Sequence, residues 1–194
     1  MPAVAKHRAP IIDAAVTLFR RQGYGGTGLN DIVDASGAPK GSIYYYFPAG
    51  KASIAVAAVE EAGQRVAETM AKLARETRST GDLLRVHARL LSGWMRKSGF
   101  RDGCQITTVL LELAPKDRTV SEAGRKAYAA RLSVVQDKLI SDGFSPARAG
   151  RLAILCVATL QGALIQSRVE RSWAAIATAA DELAVMLDAA RRAC

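Results

Sequence analysis

Lys40, Gly41 and Ser42 stand together at the start of a short apolar-periodic segment, and Tyr44, Tyr45 and Tyr46 follow directly. A cation, a residue without a side chain and a hydroxyl at a helix N-terminus suit close approach to a polyanion. Lys40 can reach a guanine edge or a phosphate. The Gly41 amide, at the helix start, can donate to a phosphate, and Ser42 adds a further donor. Three consecutive tyrosines cannot all face a core. Those that project outward can place hydroxyls on phosphates and rings on thymine methyls. This chemistry is recognition of double-stranded DNA.

Catalytic chemistry has no comparable support. His7 and His87 are far apart in sequence and lack metal-ligand spacing. No glycine-rich phosphate loop follows a strand, and Cys104 carries no nucleophile signature. Glu60, Glu61 and Glu112 read as solvated or capping carboxylates. No catalytic residue, metal or cofactor is expected.

The elements that must position the tyrosines are helices. Ile11, Ala15, Leu18 and Phe19 form one stripe of a first helix, at about 6–22 with Pro10 in its first turn. Gly23 ends it, and Gly25, Gly26 and Gly28 keep the connection open. A second helix, at about 29–36, buries Leu29, Ile32 and Val33 and stops at Gly37. The third, at about 39–47, turns Ile43 and Phe47 inward. The second and third form a helix-turn-helix, whose second helix enters the major groove. Six further helices are expected at about 51–78, 82–98, 106–113, 119–141, 146–168 and 173–192. No segment alternates strictly between apolar and polar residues, so the fold is read as all-α.

Composition agrees with a folded, basic protein. The 194 residues are 49% hydrophobic and 23% charged, with a net charge of +9. The charge is spread, with +3 in residues 1–51 and +6 in the remainder. The motif therefore carries more weight than the charge. No uninterrupted apolar run reaches the length that spans a bilayer, and residues 1–10 lack the apolar stretch of a secretory signal. Cys104, Cys156 and Cys194 are too widely spaced for a disulfide framework. A cytoplasmic protein with no membrane partner is expected.

The first quarter of the chain resembles the DNA-binding domain of the TetR family of bacterial repressors. The resemblance rests on Ile12, Ala14, Ala15, Leu18 and Phe19, on Gly23, Tyr24 and Thr27, and on Asp31, Ile32 and Val33. It continues through Gly37, the run Lys40–Phe47, and Lys51. The segment Phe47-Pro48-Ala49-Gly50-Lys51 is one residue longer than the usual family spacing. That insertion, and Gly103-Cys104, are similar to the lincomycin-resistance-regulator branch. Two departures stand out: Gly28 replaces the usual Ser or Thr cap, and Tyr46 replaces a common His.

The resemblance implies a helix-turn-helix domain at 1–51 and a ligand-binding and dimerisation domain at 52–194. It maps Thr27, Lys40, Gly41, Tyr44, Tyr45, Tyr46 and Lys51 onto DNA contacts, with Ser42 beside them. It further implies a homodimer on a palindromic operator and release by a small effector, which the residues suggest is apolar or aromatic. Candidate pocket residues are His87, Leu91, Trp94 and Met95, then Cys104, Gln105, Thr108 and Leu111, then Tyr128 and Val135. The last two helices are expected to pair across a two-fold axis through Leu152, Cys156, Leu160, Ala163, Ile176, Ala180, Leu183 and Leu187. Two other readings stay open: an activator or ligand-independent regulator of the same fold, and a helical enzyme or carrier with a vestigial helix-turn-helix.

Overall fold

The computed structural model describes residues 6–192, which form nine α-helices and no strand. The helices are α1 (Arg8–Gln22), α2 (Leu29–Ser36), α3 (Lys40–Tyr46), α4 (Lys51–Glu76), α5 (Thr80–Lys97), α6 (Gln105–Leu113), α7 (Arg118–Ser141), α8 (Pro146–Glu170) and α9 (Ala174–Arg192). Their order and number agree with the sequence pattern. Cys194 lies outside the described residues.

The chain packs as two compact units. Among the described residues one comprises 6–64 and 105–127, and the other 65–104 and 128–192. Helix α4 passes from the first unit to the second at residues 64–65, and α7 at residues 127–128. The grouping follows packing, and it gathers α6 with the three N-terminal helices.

In the first unit the predicted stripe of α1 faces the core except for Leu18, which is half-buried. Ile11, Ala15 and Phe19 are fully buried, as are Ile32 of α2 and Ile54 of α4. Ile43 of α3 closes the cluster. Gly63 lets α4 and α7 approach closely, since a Cβ there would stand 2.5 Å from Ala127 Cβ.

The second unit is built on α5, α8 and α9, with parts of α4 and α7. Leu83, Leu84, Val135, Leu139, Ala149, Cys156 and Ile176 are among its buried residues. The turn between α4 and α5 was expected to be a break at 79–81. Instead Ser79 caps α5, its hydroxyl accepting from the Asp82 amide at 3.1 Å. Gly81 then belongs to the helix, where the missing Cβ admits Ala184 of α9. Side chains of α7 complete this turn. Asp142, just past its end, accepts from the Thr80 amide at 2.6 Å, and Lys138 Nζ donates to the carbonyls of Thr77 and Arg78. Both charges complement the helix termini they meet.

By length and composition helix α8 is apolar enough to cross a membrane, although it has no unbroken apolar run. In this fold its buried residues, including Leu152, Ala153, Cys156 and Leu160, belong to the core of the second unit.

Candidate nucleic-acid interface and effector cavity

The turn between α2 and α3 is tight. Gly37 adopts a left-handed conformation with φ of 62°. The Ser36 hydroxyl accepts from the Ala38 amide at 3.2 Å and donates to the Val33 carbonyl at 3.0 Å. Pro39 precedes α3, so Lys40 and Gly41 form its first turn. Ile43 and Phe47 are buried and fix the orientation of the helix. Tyr44 and Tyr45 are then forced outward, 54% and 66% exposed. Tyr46 is half-buried, with its ring edge-on to Tyr45 at 5.0 Å. Lys40 and Gly41 are exposed, and Ser42 is half-buried with its amide donating to the Pro39 carbonyl. No protein atom lies within 4 Å of where a Gly41 Cβ would stand. The fold itself does not require glycine there.

Thr27 and Lys51 do something else. Thr27 is 1% exposed, and its hydroxyl donates to the Gly23 carbonyl at 2.8 Å. Lys51 Nζ donates to the carbonyls of Tyr24 and Thr27, at 3.0 and 2.8 Å, and lies 4.1 Å from the Tyr24 ring centre. The Thr27 side chain is thus turned into the fold, and Lys51 staples the α1–α2 connection. Gly28 lacks a capping side chain, yet its amide donates to Asp31 Oδ2 at 2.7 Å, so half of a capping box survives.

The other side of the same connection is held by Glu112 of α6. Its two carboxylate oxygens accept from the amides of Tyr24 at 2.8 Å and Gly25 at 2.7 Å. The φ of +78° favours glycine at Gly23, and a Cβ there would meet Glu112 Oε1 at 2.6 Å and push the carboxylate aside. Burial raises the Tyr24 phenol above its ordinary range, with Asp117 and Glu112 adding to the effect. Glu112→Ala should cost about 1–3 kcal/mol, as for hydrogen bonds to a charged group. Hydrogen exchange should then quicken at the Tyr24 and Gly25 amides, while exchange in α9 stays unchanged. Unaltered exchange at both amides would count against the staple.

The second unit contains a small, partly open cavity of about 20 Å³ lined by side chains of α4, α5, α7 and α8. Of the expected pocket residues, His87, Leu91 and Val135 line it. Met95 is buried in the surrounding core, and Cys104 and Tyr128 pack against that core. Trp94 is 41% exposed and Leu111 71% exposed, and neither lines the cavity. Gln105 and Thr108 belong, with Leu111, to the first unit. Helix periodicity put these residues on apolar faces without showing which face met the cavity.

Among the lining residues that sequence reading missed, Arg131 is the charged one. It is 6% exposed, with Nη1 donating to Gln161 Oε1 at 3.2 Å. His87 is also buried, and burial, with the Arg131 charge next, lowers its pKa from 6.5 to about 4. Between those values the unfolded chain binds a proton that the folded chain refuses. Stability should therefore be full above pH 6.5 and fall as the pH drops towards 4, by about 3 kcal/mol from this residue. Urea midpoints at neutral and acid pH should show wild type losing more than His87→Gln. Parallel losses would mean that His87 titrates normally.

The residues expected at a dimer interface are buried within one chain. Leu152, Cys156, Leu160, Ala163, Ile176, Ala180, Leu183 and Leu187 are all 8% exposed or less. Cys156 and Leu160 line the cavity. Helix α8 is apolar nearly all round, so periodicity alone could not choose its face. The exposed face carries Leu155, Ala158, Gly162, Ile165 and Val169, spaced by threes and fours. Val185 is also exposed on α9, 56% accessible.

Residues 11–58 match the family described as "Bacterial regulatory proteins, tetR family". Residues 80–182, just over half the chain, match "Transcriptional regulator LmrA/YxaF-like, C-terminal domain". The chain belongs to the TetR family. Within this family it is 33% identical to the HTH-type transcriptional regulator LmrA of Bacillus subtilis (strain 168), covering 82% of this chain and 85% of LmrA. A TetR regulatory protein from Rhodobacter sphaeroides has the same fold, with a TM-score of 0.81 at 19% identity over 92% of this chain and 97% of that one. The regulator FadR from Bacillus subtilis, solved in complex with stearoyl-CoA, superposes with a TM-score of 0.66 at 16% identity, over 92% and 96% of the two chains. This TetR-family chain is thus a DNA-binding transcriptional regulator of the LmrA/YxaF-like branch. The match at 11–58 contains most of α1, all of α2 and α3 and the start of α4, with the whole tyrosine cluster.

Proposed function

We propose that this TetR-family regulator is a repressor that binds a palindromic operator as a homodimer and releases it when a small effector binds. Residues 1–51 read DNA, and residues 52–194 bind the effector and dimerise. The protein acts in the cytoplasm, where its operator is. The observation that carries the reading is the exposed face of α3. Ile43 and Phe47 anchor the helix from below, while Lys40, Gly41, Tyr44 and Tyr45 are free to meet a partner. Open space around Gly41 suits close approach of a phosphate to its amide.

A two-fold operator calls for a two-fold protein. The stripe from Leu155 to Val169 supplies a self-complementary apolar face, with Gly162 allowing backbones to come close. The effector enters the cavity among α5, α7 and α8. It shifts the DNA-binding equilibrium by its differential affinity for two conformations, and about 1–3 kcal/mol of coupling gives roughly 5- to 150-fold weaker operator binding.

Selection of duplexes from a random pool tests this reading. A single inverted repeat should emerge, bound as a dimer, with affinity falling steeply as salt rises. Recovery of no preferred sequence, or of an asymmetric single site, would sink it.

A further inference from the structure

Arg131 is a buried cation without a buried counter-charge. No carboxylate lies within ion-pair distance of it among the described residues, and its Nε has no hydrogen-bond partner. Its guanidinium meets a neutral amide, Gln161 Oε1 at 3.2 Å, and the face of Tyr128, at 5.6 Å from the ring centre. Taking a guanidinium out of water is costly unless an opposite charge and full hydrogen bonding compensate it. Packing alone would be served as well by a neutral side chain of the same length.

The second unsatisfied group is close by. His87 Nδ1 is buried and has no partner. His87 on α5 and Arg131 on α7 border the same cavity, and the remaining wall is mostly aliphatic, with Met70, Leu84, Leu91 and Leu160. Two unfulfilled polar side chains thus stand at a hydrophobic chamber.

The geometry points to an organic anion as the effector: an apolar body with one carboxylate, whose oxygens bind the Arg131 guanidinium and the His87 ring. This rests on the ligand-responsive reading above and names the ligand class. A guanidinium presents its N–H groups as a planar fork that matches a carboxylate, and charge-assisted bonds of this kind are stronger than neutral ones. The aliphatic wall takes the body of the molecule. At about 20 Å³ the cavity holds roughly one water, so entry of such a ligand parts α5, α7 and α8. The anion therefore binds a wider conformation better than the narrow one, which is the differential affinity that a switch requires.

The test uses the full chain without DNA and two probes of one shape, 2-naphthoate and its neutral amide, 2-naphthamide. Calorimetry should show the carboxylate binding about tenfold or more tightly than the amide. Arg131→Met should abolish that preference and melt at or above the wild-type temperature, because a lone buried charge has been removed. Arg131→Lys, which keeps the charge and loses the fork, should retain part of the preference. Equal affinities of wild type for the two probes, including failure to bind either, would overturn the proposal. So would an Arg131→Met protein that keeps the preference. Should that variant not fold, the wild-type comparison decides. Operator release is measured separately on a selected duplex. Naphthoate that binds through Arg131 yet leaves DNA bound upholds the anion site and removes the ligand-responsive reading. Release by neutral compounds, with no carboxylate preference, does the reverse.

Discussion

Ile165→Asp should leave the protein folded, monomeric and unable to hold its operator. Ile165 is 50% exposed in the single chain, so a carboxylate there stays hydrated when the chain is alone. In a dimer that pairs the stripe from Leu155 to Val169, the same carboxylate loses its water against an apolar face. An unpaired charge in such a place costs several kcal/mol. The fall in operator affinity should be about 100-fold or more, because joining two half-site readers gains that much without any new contact. Leu160→Asp makes the contrast. Leu160 is 6% exposed and borders the cavity, so a charge there should unfold the chain. Sedimentation of Ile165→Asp as a stable dimer would show that the exposed stripe is not the interface.

Lys40→Ala should weaken operator binding by about 1–3 kcal/mol, roughly 5- to 150-fold, with no change in melting temperature. Lys40 is exposed and its side chain has no hydrogen bond or ion pair among the described residues, so the fold loses nothing. Two readouts separate its roles. If Lys40 reads a guanine edge, selection with the variant yields a repeat relaxed at one position. If it neutralises a phosphate, the selected repeat is unchanged and the salt dependence falls by about one ion. Tyr44→Phe should give a smaller loss, since the ring remains. Unchanged affinity of Lys40→Ala for the selected duplex would remove the residue from the reader.

The reader was legible because its signals are local. The α1 stripe of Ile11, Ala15 and Phe19, the stop at Gly37 and the inward pair Ile43 and Phe47 all sit within one or two helical turns of what they determine. Ligands of the backbone that come from afar left no such trace. Glu112 lies 88 residues from the amide of Tyr24, and on its own helix it looks like any solvated carboxylate. Lys51 occupies a phosphate-contact position by resemblance, yet its ammonium turns back on the carbonyls of Tyr24 and Thr27. Arg131 follows Arg125 and Lys126 on α7 and reads as one more surface cation. On α8 the difficulty is of another kind. With apolar residues on nearly every side, amphipathic periodicity has no contrast to work with.

The α1–α2 connection is gripped with opposite polarity on its two sides: a carboxylate takes its amides and an ammonium takes its carbonyls. The ammonium travels with the N-terminal segment, whereas the carboxylate is supplied from α6. A chimera that joins residues 1–58 to a foreign sensor module would keep Lys51 and discard Glu112. The amides of Tyr24 and Gly25 would then turn to water, and the hinge in front of α2 would soften. Transplanting this reader intact means carrying α6 with it, or choosing a recipient that offers an acid at the same place.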